Sequence, residues 1–187
     1  MHKIYALLDY GTLLSKNFSI RDFIFAAERV DAHMIQYRDK ISSKDKIIEN
    51  LKEIRKYWRG HLIINDRLDL ISYADGVHLG QEDIREFDED IKKAALFVRE
   101  KIGNKIFGLS THNKKEIEEA NELPLDYIGL GAYRRTSTKD TDNILGDKLS
   151  YLAAFSEHPV AAIGGVRVDD EIENVTYLVI GSNLYDN

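Results

Sequence analysis

Several short blocks carry side chains able to hold a phosphorylated ligand. They include Gln36-Tyr37-Arg38-Asp39-Lys40, Asn65-Asp66-Arg67 and Arg134-Arg135-Thr136-Ser137-Thr138-Lys139. Arg38, Lys40 and Lys139 can neutralise phosphate oxygens. Turns at Gly131, Gly164-Gly165 and Gly181-Ser182 leave backbone N–H groups bare to a phosphate, and Ser or Thr hydroxyls can donate to it. Asp66, and Asp83 in Gly80-Gln81-Glu82-Asp83, are the metal candidates. Magnesium keeps its waters and takes one or two carboxylates beside phosphate oxygens. Ser110-Thr111-His112 adds hydroxyls and an imidazole. Each residue also has a plainer use. Asp or Asn after a strand commonly caps a helix, loop Arg and Lys are mostly solvated, and Gly-Gly commonly makes a turn. His78 reads as a structural histidine as readily as a catalytic one, and His112 as a polar group near a helix cap as readily as an acid–base. His2, His33, His61 and His158 read as surface. What favours function is shared position: block after block follows a short apolar run.

Those runs cover residues 4–9, 33–37, 61–64, 76–79, 105–109, 127–130, 160–163 and 177–180. Most are continuous rather than alternating, as strands buried on both faces are. Helix-period segments lie between them. Ser42 or Ser43 can cap a helix with Ile47, Ile48, Leu51, Ile54 and Trp58 on one face, ended by Gly60. Asn113 and Glu116 have capping-box spacing before Ile117 and Ala120. Residues 19–22 introduce a helix over 23–30, and 90–101 and 147–155 are two more candidates. Strands alternating with helices imply an α/β chain of parallel strands joined by right-handed crossovers. The reading from pattern leaves a closed (β/α)₈ barrel and an open doubly wound sheet. Both bind ligands at the carboxyl ends of their strands.

The chain has 187 residues, one domain over 1–187 by length. That is short for a barrel, typically about 250 residues. The shortfall falls late, where only residues 168–175 remain for a helix after the seventh apolar run. The outer faces of the first, seventh and eighth strands are therefore expected to be bare, and a homo-oligomer is expected to cover them. Absence of cysteine excludes disulfides, cysteine-ligated zinc and a cysteine nucleophile. A net charge of −6 argues against non-specific nucleic-acid binding. No apolar run spans a membrane and the start carries no signal peptide, so the expected location is cytoplasmic. Walker-type, G-x-G-x-x-G, His-Glu-x-x-His and G-x-S-x-G motifs are absent.

In order and spacing, the blocks at 36–40, 62–67, 76–83, 108–112, 126–131, 136–139 and 162–165 resemble the thiamine phosphate synthase family. The resemblance runs over residues 4–182, and its most distinctive parts are Gly76 to Asp83 and Thr136-Ser137-Thr138-Lys139. It implies a (β/α)₈ TIM barrel, and the length of this chain adds reduced C-terminal helices. It also implies an Mg²⁺-dependent transferase that joins 4-amino-5-hydroxymethyl-2-methylpyrimidine diphosphate to a thiazole phosphate and releases diphosphate. Carried over, Gln36, Arg38, Lys40 and Asn65 hold the pyrimidine diphosphate, within a block that includes Tyr37 and Asp39. Asp66 and Asp83 hold Mg²⁺. Ser110 and Lys139 face the diphosphate, with Arg38 and Lys139 the catalytic cations. Thr136, Ser137, Thr138, Gly165, Gly181 and Ser182 bind the thiazole phosphate. Two departures stand out: Asp39 replaces the usual glutamate, and Gly131-Ala132-Tyr133-Arg134-Arg135 replaces an apolar, proline-containing stretch. The arginines bring two cations to the thiazole side, where they either line the phosphate entrance or are merely solvated. The related TenI-like thiazole tautomerases share the barrel and move a proton with a histidine matching His112. A non-catalytic binder of thiamine precursors is the third reading.

Overall fold

The computed structural model describes residues 1–135 and 144–186. Eight parallel strands close into a barrel in chain order: β1 (Lys3–Asp9), β2 (Ala32–Arg38), β3 (His61–Asn65), β4 (Gly76–Leu79), β5 (Ile106–Thr111), β6 (Tyr127–Gly131), β7 (Val160–Ile163) and β8 (Tyr177–Ile180). β8 pairs with β1 to seal it. The open sheet that the pattern alone allowed is excluded.

Strand alternation sorts the apolar residues into two cores. In β1, Ala6 and Leu8 face the helices, while Tyr5 and Leu7 face the barrel axis with Met34, Ile63, Tyr127, Ala161 and Val179. Both faces are buried, which is why the strands read as continuous apolar runs.

The helices begin where side chains can satisfy their first N–H groups. Ser19 and Asp22 form a capping box on α2 (Ile20–Arg29), after a one-and-a-half-turn α1 (Tyr10–Ser15) capped by Asp9. Ser43 caps α3 (Lys44–Tyr57), which buries Ile47, Leu51 and Ile54 against the barrel. Each such side chain contributes about 1.5–3 kcal/mol. A short α4 (Gln81–Arg85) leads to α5 (Ile91–Ile102), capped by Asp90. Asn113 caps α6 (Lys114–Asn121), and α7 (Lys148–Ala153) precedes β7. Glu116 departs from the expected box, because its carboxylate takes the backbone N–H of His112 at 2.8 Å rather than that of Asn113.

No helix follows β7, and β8 runs into a 3-10 turn over Ser182–Asp186. The late wall is thin, as its length foretold, yet it is not bare. Leu178 and Ile180 are buried in the same core as Val166, Ile172, Val175 and Leu184. The Phe18 and Tyr185 rings pack edge to face at 4.9 Å. Six apolar side chains thus take the place of a helix, and among the described residues the bare face from which an oligomer was expected is covered.

This cover has one polar flaw. The Tyr185 hydroxyl is buried with no hydrogen-bond partner among the described residues. An unpaired buried hydroxyl costs about 1–3 kcal/mol. Tyr185→Phe keeps the ring contacts and should raise the thermal midpoint, by roughly 2–4 °C per kcal/mol for a chain this long. A lowered midpoint in a thermal melt would refute the reading.

Candidate active site

The carboxyl ends of the strands open into one cavity of about 360 Å³. Strand parity decides who reaches it. On β2, Gln36 and Arg38 point into the barrel and Lys40 follows at the rim, all three lining the cavity. Tyr37 lies between them and points the other way. Its hydroxyl donates to Asp39 at 2.7 Å and accepts from Asn50 of α3 at 2.7 Å. Asp39 in turn accepts the Ile41 and Ser42 N–H groups. The structure therefore removes Tyr37 and Asp39 from the cavity lining. They form a strut that anchors the loop after β2 to α3.

Charged partners hold the remaining residues in place. Arg38 pairs with Asp9, which also accepts Thr12 N–H at the start of α1. Lys40 and the Asn65 amide both reach the same carboxylate oxygen of Asp66. Asp66 has a left-handed backbone, φ 61°, a region that Asp tolerates better than most side chains. Asp83 accepts the Gly80 N–H at 3.1 Å. A Cβ at position 80 would come within 2.4 Å of that carboxylate, so a larger residue there would have to displace the Asp83 side chain.

Asn65, Asp66, Asp83, Ser110, His112, Gly165, Gly181 and Ser182 all line the cavity, as the sequence expected. Thr136, Ser137, Thr138 and Lys139 lie outside the described residues. Among the described residues, no group of three or more His, Cys, Asp or Glu side chains forms an all-protein metal cage. Asp66 and Asp83 on one cavity are instead an oxygen pair of the kind that suits magnesium completed by waters and phosphate.

Arg134 is neither merely solvated nor part of the cavity lining. Its guanidinium binds Asp170 through two bonds of 2.6 and 2.8 Å and donates to the Gly165 carbonyl at 3.1 Å. Neither Arg134 nor Arg135 lines the cavity. Arg134 is a latch between the loops after β6 and β7, holding Gly165 in its left-handed conformation, φ 62°. Opposite charge and hydrogen bonding from Arg134 hold the Asp170 carboxyl below the ordinary carboxylate range. A depressed folded value contributes stability above the unfolded pKa of about 3.9 and loses it as pH falls through the folded value. Asp170→Asn should therefore lower the unfolding midpoint at pH 7, with a half-exposed pair worth at most about 1 kcal/mol. The gap to wild type should narrow by pH 3 and close only below the folded value. A gap that is unchanged in melts at the two pH values would remove the latch's charge from the account.

Sequence reasoning left His78 undecided and passed over Tyr5, Tyr127, Glu82 and Asn183. His78, Glu82 and Asn183 line the cavity. The Nδ1 of His78 lies 2.9 Å from the Tyr127 hydroxyl and its Nε2 2.9 Å from Ser110 Oγ. His112 is held by Glu116, Nδ1 to carboxylate 2.9 Å. At one end the cavity thus offers cations, carboxylates and hydroxyls, and at the other glycine turns, a combination suited to a phosphorylated ligand.

Comparison with known proteins agrees. A thiamine-phosphate synthase from Persephonella marina is 39% identical over 170 residues, covering 88% of this chain and 77% of its own. One from Chloroflexus aurantiacus is 38% identical over 174 residues, covering 88% and 74%. The solved thiamine phosphate pyrophosphorylase from Pyrococcus furiosus superposes with a TM-score of 0.74 at 24% identity, covering 96% of this chain and 85% of that one, and supports the barrel. The family model described as thiamine monophosphate synthase matches residues 14–178. With most of the barrel inside that match, the chain belongs to the thiamine monophosphate synthase family.

Proposed function

We propose that the protein is a thiamine phosphate synthase, a transferase that couples the aminopyrimidine diphosphate to thiazole phosphate. The observation that carries this reading is the convergence of Arg38, Lys40, Asp66, Asp83 and Ser110 on one strand-end cavity. In the reaction the bond from the pyrimidine methylene to the diphosphate oxygen breaks, and its electron pair leaves with diphosphate. The thiazole nitrogen then forms the new bond to that methylene. The barrier is mostly charge separation, so fixed donors on the leaving oxygens are the main requirement. Arg38, Lys40 and Lys139 supply positive charge, and Ser110 a hydroxyl. Gln36 and Asn65 orient the pyrimidine diphosphate. The glycine turns at Gly165 and Gly181, with Ser182 and residues 136–138, hold the thiazole phosphate. Magnesium held by Asp66 and Asp83 would neutralise part of the diphosphate charge. No protein nucleophile is needed, which accords with a chain lacking cysteine.

The same reading takes residues 1–187 as one domain acting in the cytoplasm on small phosphorylated substrates. No described helix is long and apolar enough to cross a membrane. Purified protein given both precursors and Mg²⁺ should release thiamine phosphate and diphosphate in equal amounts. One observation favours a second reading. The imidazole of His112, fixed by Glu116, is the kind of group a thiazole tautomerase would use for proton transfer. Metal-independent isomerisation without diphosphate release would select it. Binding of a precursor without turnover would select the non-catalytic regulator.

A further inference from the structure

Below the cavity, the barrel axis is crossed by an unbroken hydrogen-bond chain. Gln36 Nε2 donates to the Tyr5 hydroxyl at 2.8 Å, and that oxygen lies 2.8 Å from the Tyr127 hydroxyl. Tyr127 lies 2.9 Å from His78 Nδ1, and His78 Nε2 2.9 Å from Ser110 Oγ. Five of the eight strands contribute one member each. Tyr5 and Tyr127 are about 99% and 98% buried, and burial pushes both phenols up, so each keeps its single proton. The ends of the chain, Gln36 and Ser110, line the cavity, as does His78. Tyr127 fits because it faces Gly108, where a Cβ would stand 2.4 Å from its hydroxyl oxygen.

One proton per hydroxyl makes the chain directional. Every buried donor needs an acceptor. With the Gln36 amide donating, Tyr5 must donate to Tyr127 and Tyr127 to His78 Nδ1. The imidazole proton then sits on Nε2 and points at Ser110, leaving the Ser110 proton for a cavity oxygen. Gln36 keeps its carbonyl oxygen for the cavity. The opposite order requires Gln36 to turn over and accept from Tyr5. Ser110 would then spend its proton on His78, and Gln36 would face the cavity with N–H groups alone. With a neutral imidazole, the two ends cannot be set independently.

We propose that Tyr5, Tyr127 and His78 are a relay of positioning residues that couples the Gln36 amide to the Ser110 hydroxyl. An anionic oxygen taking the Ser110 proton locks Gln36 as an acceptor. The cavity thereby selects ligands that join an anion at the β5 side to an amino N–H at the β2 side. This rests on the synthase reading for the identity of the ligand, an aminopyrimidine carrying diphosphate, while the relay stands on the geometry alone.

Two measurements test it without turnover. The first is ¹⁵N NMR of the histidine rings with inorganic pyrophosphate and Mg²⁺ bound, His78 being assigned by its loss in His78→Gln. The Nε2–H tautomer is expected in wild type and a mixture in Tyr127→Phe. The second is the affinity for the free aminopyrimidine alcohol with and without pyrophosphate. Wild type should gain about threefold to tenfold from pyrophosphate, the worth of one or two hydrogen bonds. In Tyr5→Phe the gain should fall below about twofold. An Nδ1–H tautomer in wild type, or a gain that survives Tyr5→Phe, overturns the relay. The wild-type spectrum decides even if a variant fails to fold. A correct tautomer and lost coupling in a protein that makes no thiamine phosphate would count against the synthase reading alone.

Discussion

Chelating the divalent metal should abolish diphosphate release, and Asp66→Ala should slow it by about 10²-fold in the presence of Mg²⁺. The leaving group carries several negative charges in a cavity whose described cations are already committed: Arg38 to Asp9 and Lys40 to Asp66. Each cation is half neutralised by its own carboxylate, so the local charge cannot match a diphosphate without help. Removing one organised stabiliser of developing charge costs on the order of 10²–10³ in rate. Asp66→Ala would remove a proposed metal ligand and also free Lys40, so its loss should sit at the lower end of that range. Asp83→Ala gives no such compensation and should be the more damaging, although it also removes the carboxylate that accepts the Gly80 N–H. Diphosphate release followed with both precursors, with and without chelator, reads all three effects. A rate within about threefold of wild type after chelation would end the metal's part in the proposal.

Lys139→Ala should cost on the order of 10²–10³ in rate for the same electrostatic reason, while His112→Ala should cost far less. The nucleophile is an aromatic nitrogen, which carries no proton to remove, so coupling needs no general base. The ratio of the two losses is more informative than either. A tautomerase reverses it: proton transfer depends on the imidazole held by Glu116 and is indifferent to a lysine on the diphosphate side. Steady-state rates for the two variants, each with coupling and isomerisation substrates, separate the readings. Lys139 is placed by resemblance, since it lies outside the described residues, and this measurement is its direct test.

The elements were legible because their signals are local. Eight apolar runs became eight strands, and Ser19, Ser43, Asp90 and Asn113 cap helices in or beside the places their spacing indicated. Contiguity misled where period two decides. Tyr37 and Asp39 sit inside a block of ligand-type residues, yet alternate positions on a strand face opposite sides, and only Gln36 and Arg38 turn inward. Tyr5 and Tyr127 read as ordinary apolar-run aromatics. Their pairing across the barrel joins positions 122 residues apart, which nothing local could reveal. Arg134 was legible as a cation but not as a latch, because Asp170 reaches it from the far side of β7. The bare late wall failed for a related reason. Its covering residues are scattered singly through turns, with no period to mark them.

The seam between β1 and β8 sets how this chain must fold. Seven of the strand pairings join neighbours along the sequence, whereas the eighth brings Lys3 beside Tyr177. Loop-closure entropy must be met there before any contact rewards it, and pairings of long sequence separation are slow to form. Until the last strand docks, β1 presents a row of unpaired N–H and C=O groups over an apolar stretch, a template for another copy of the chain. Rapid dilution from denaturant at high protein concentration should therefore lose material to aggregation that slow refolding of a dilute sample would recover.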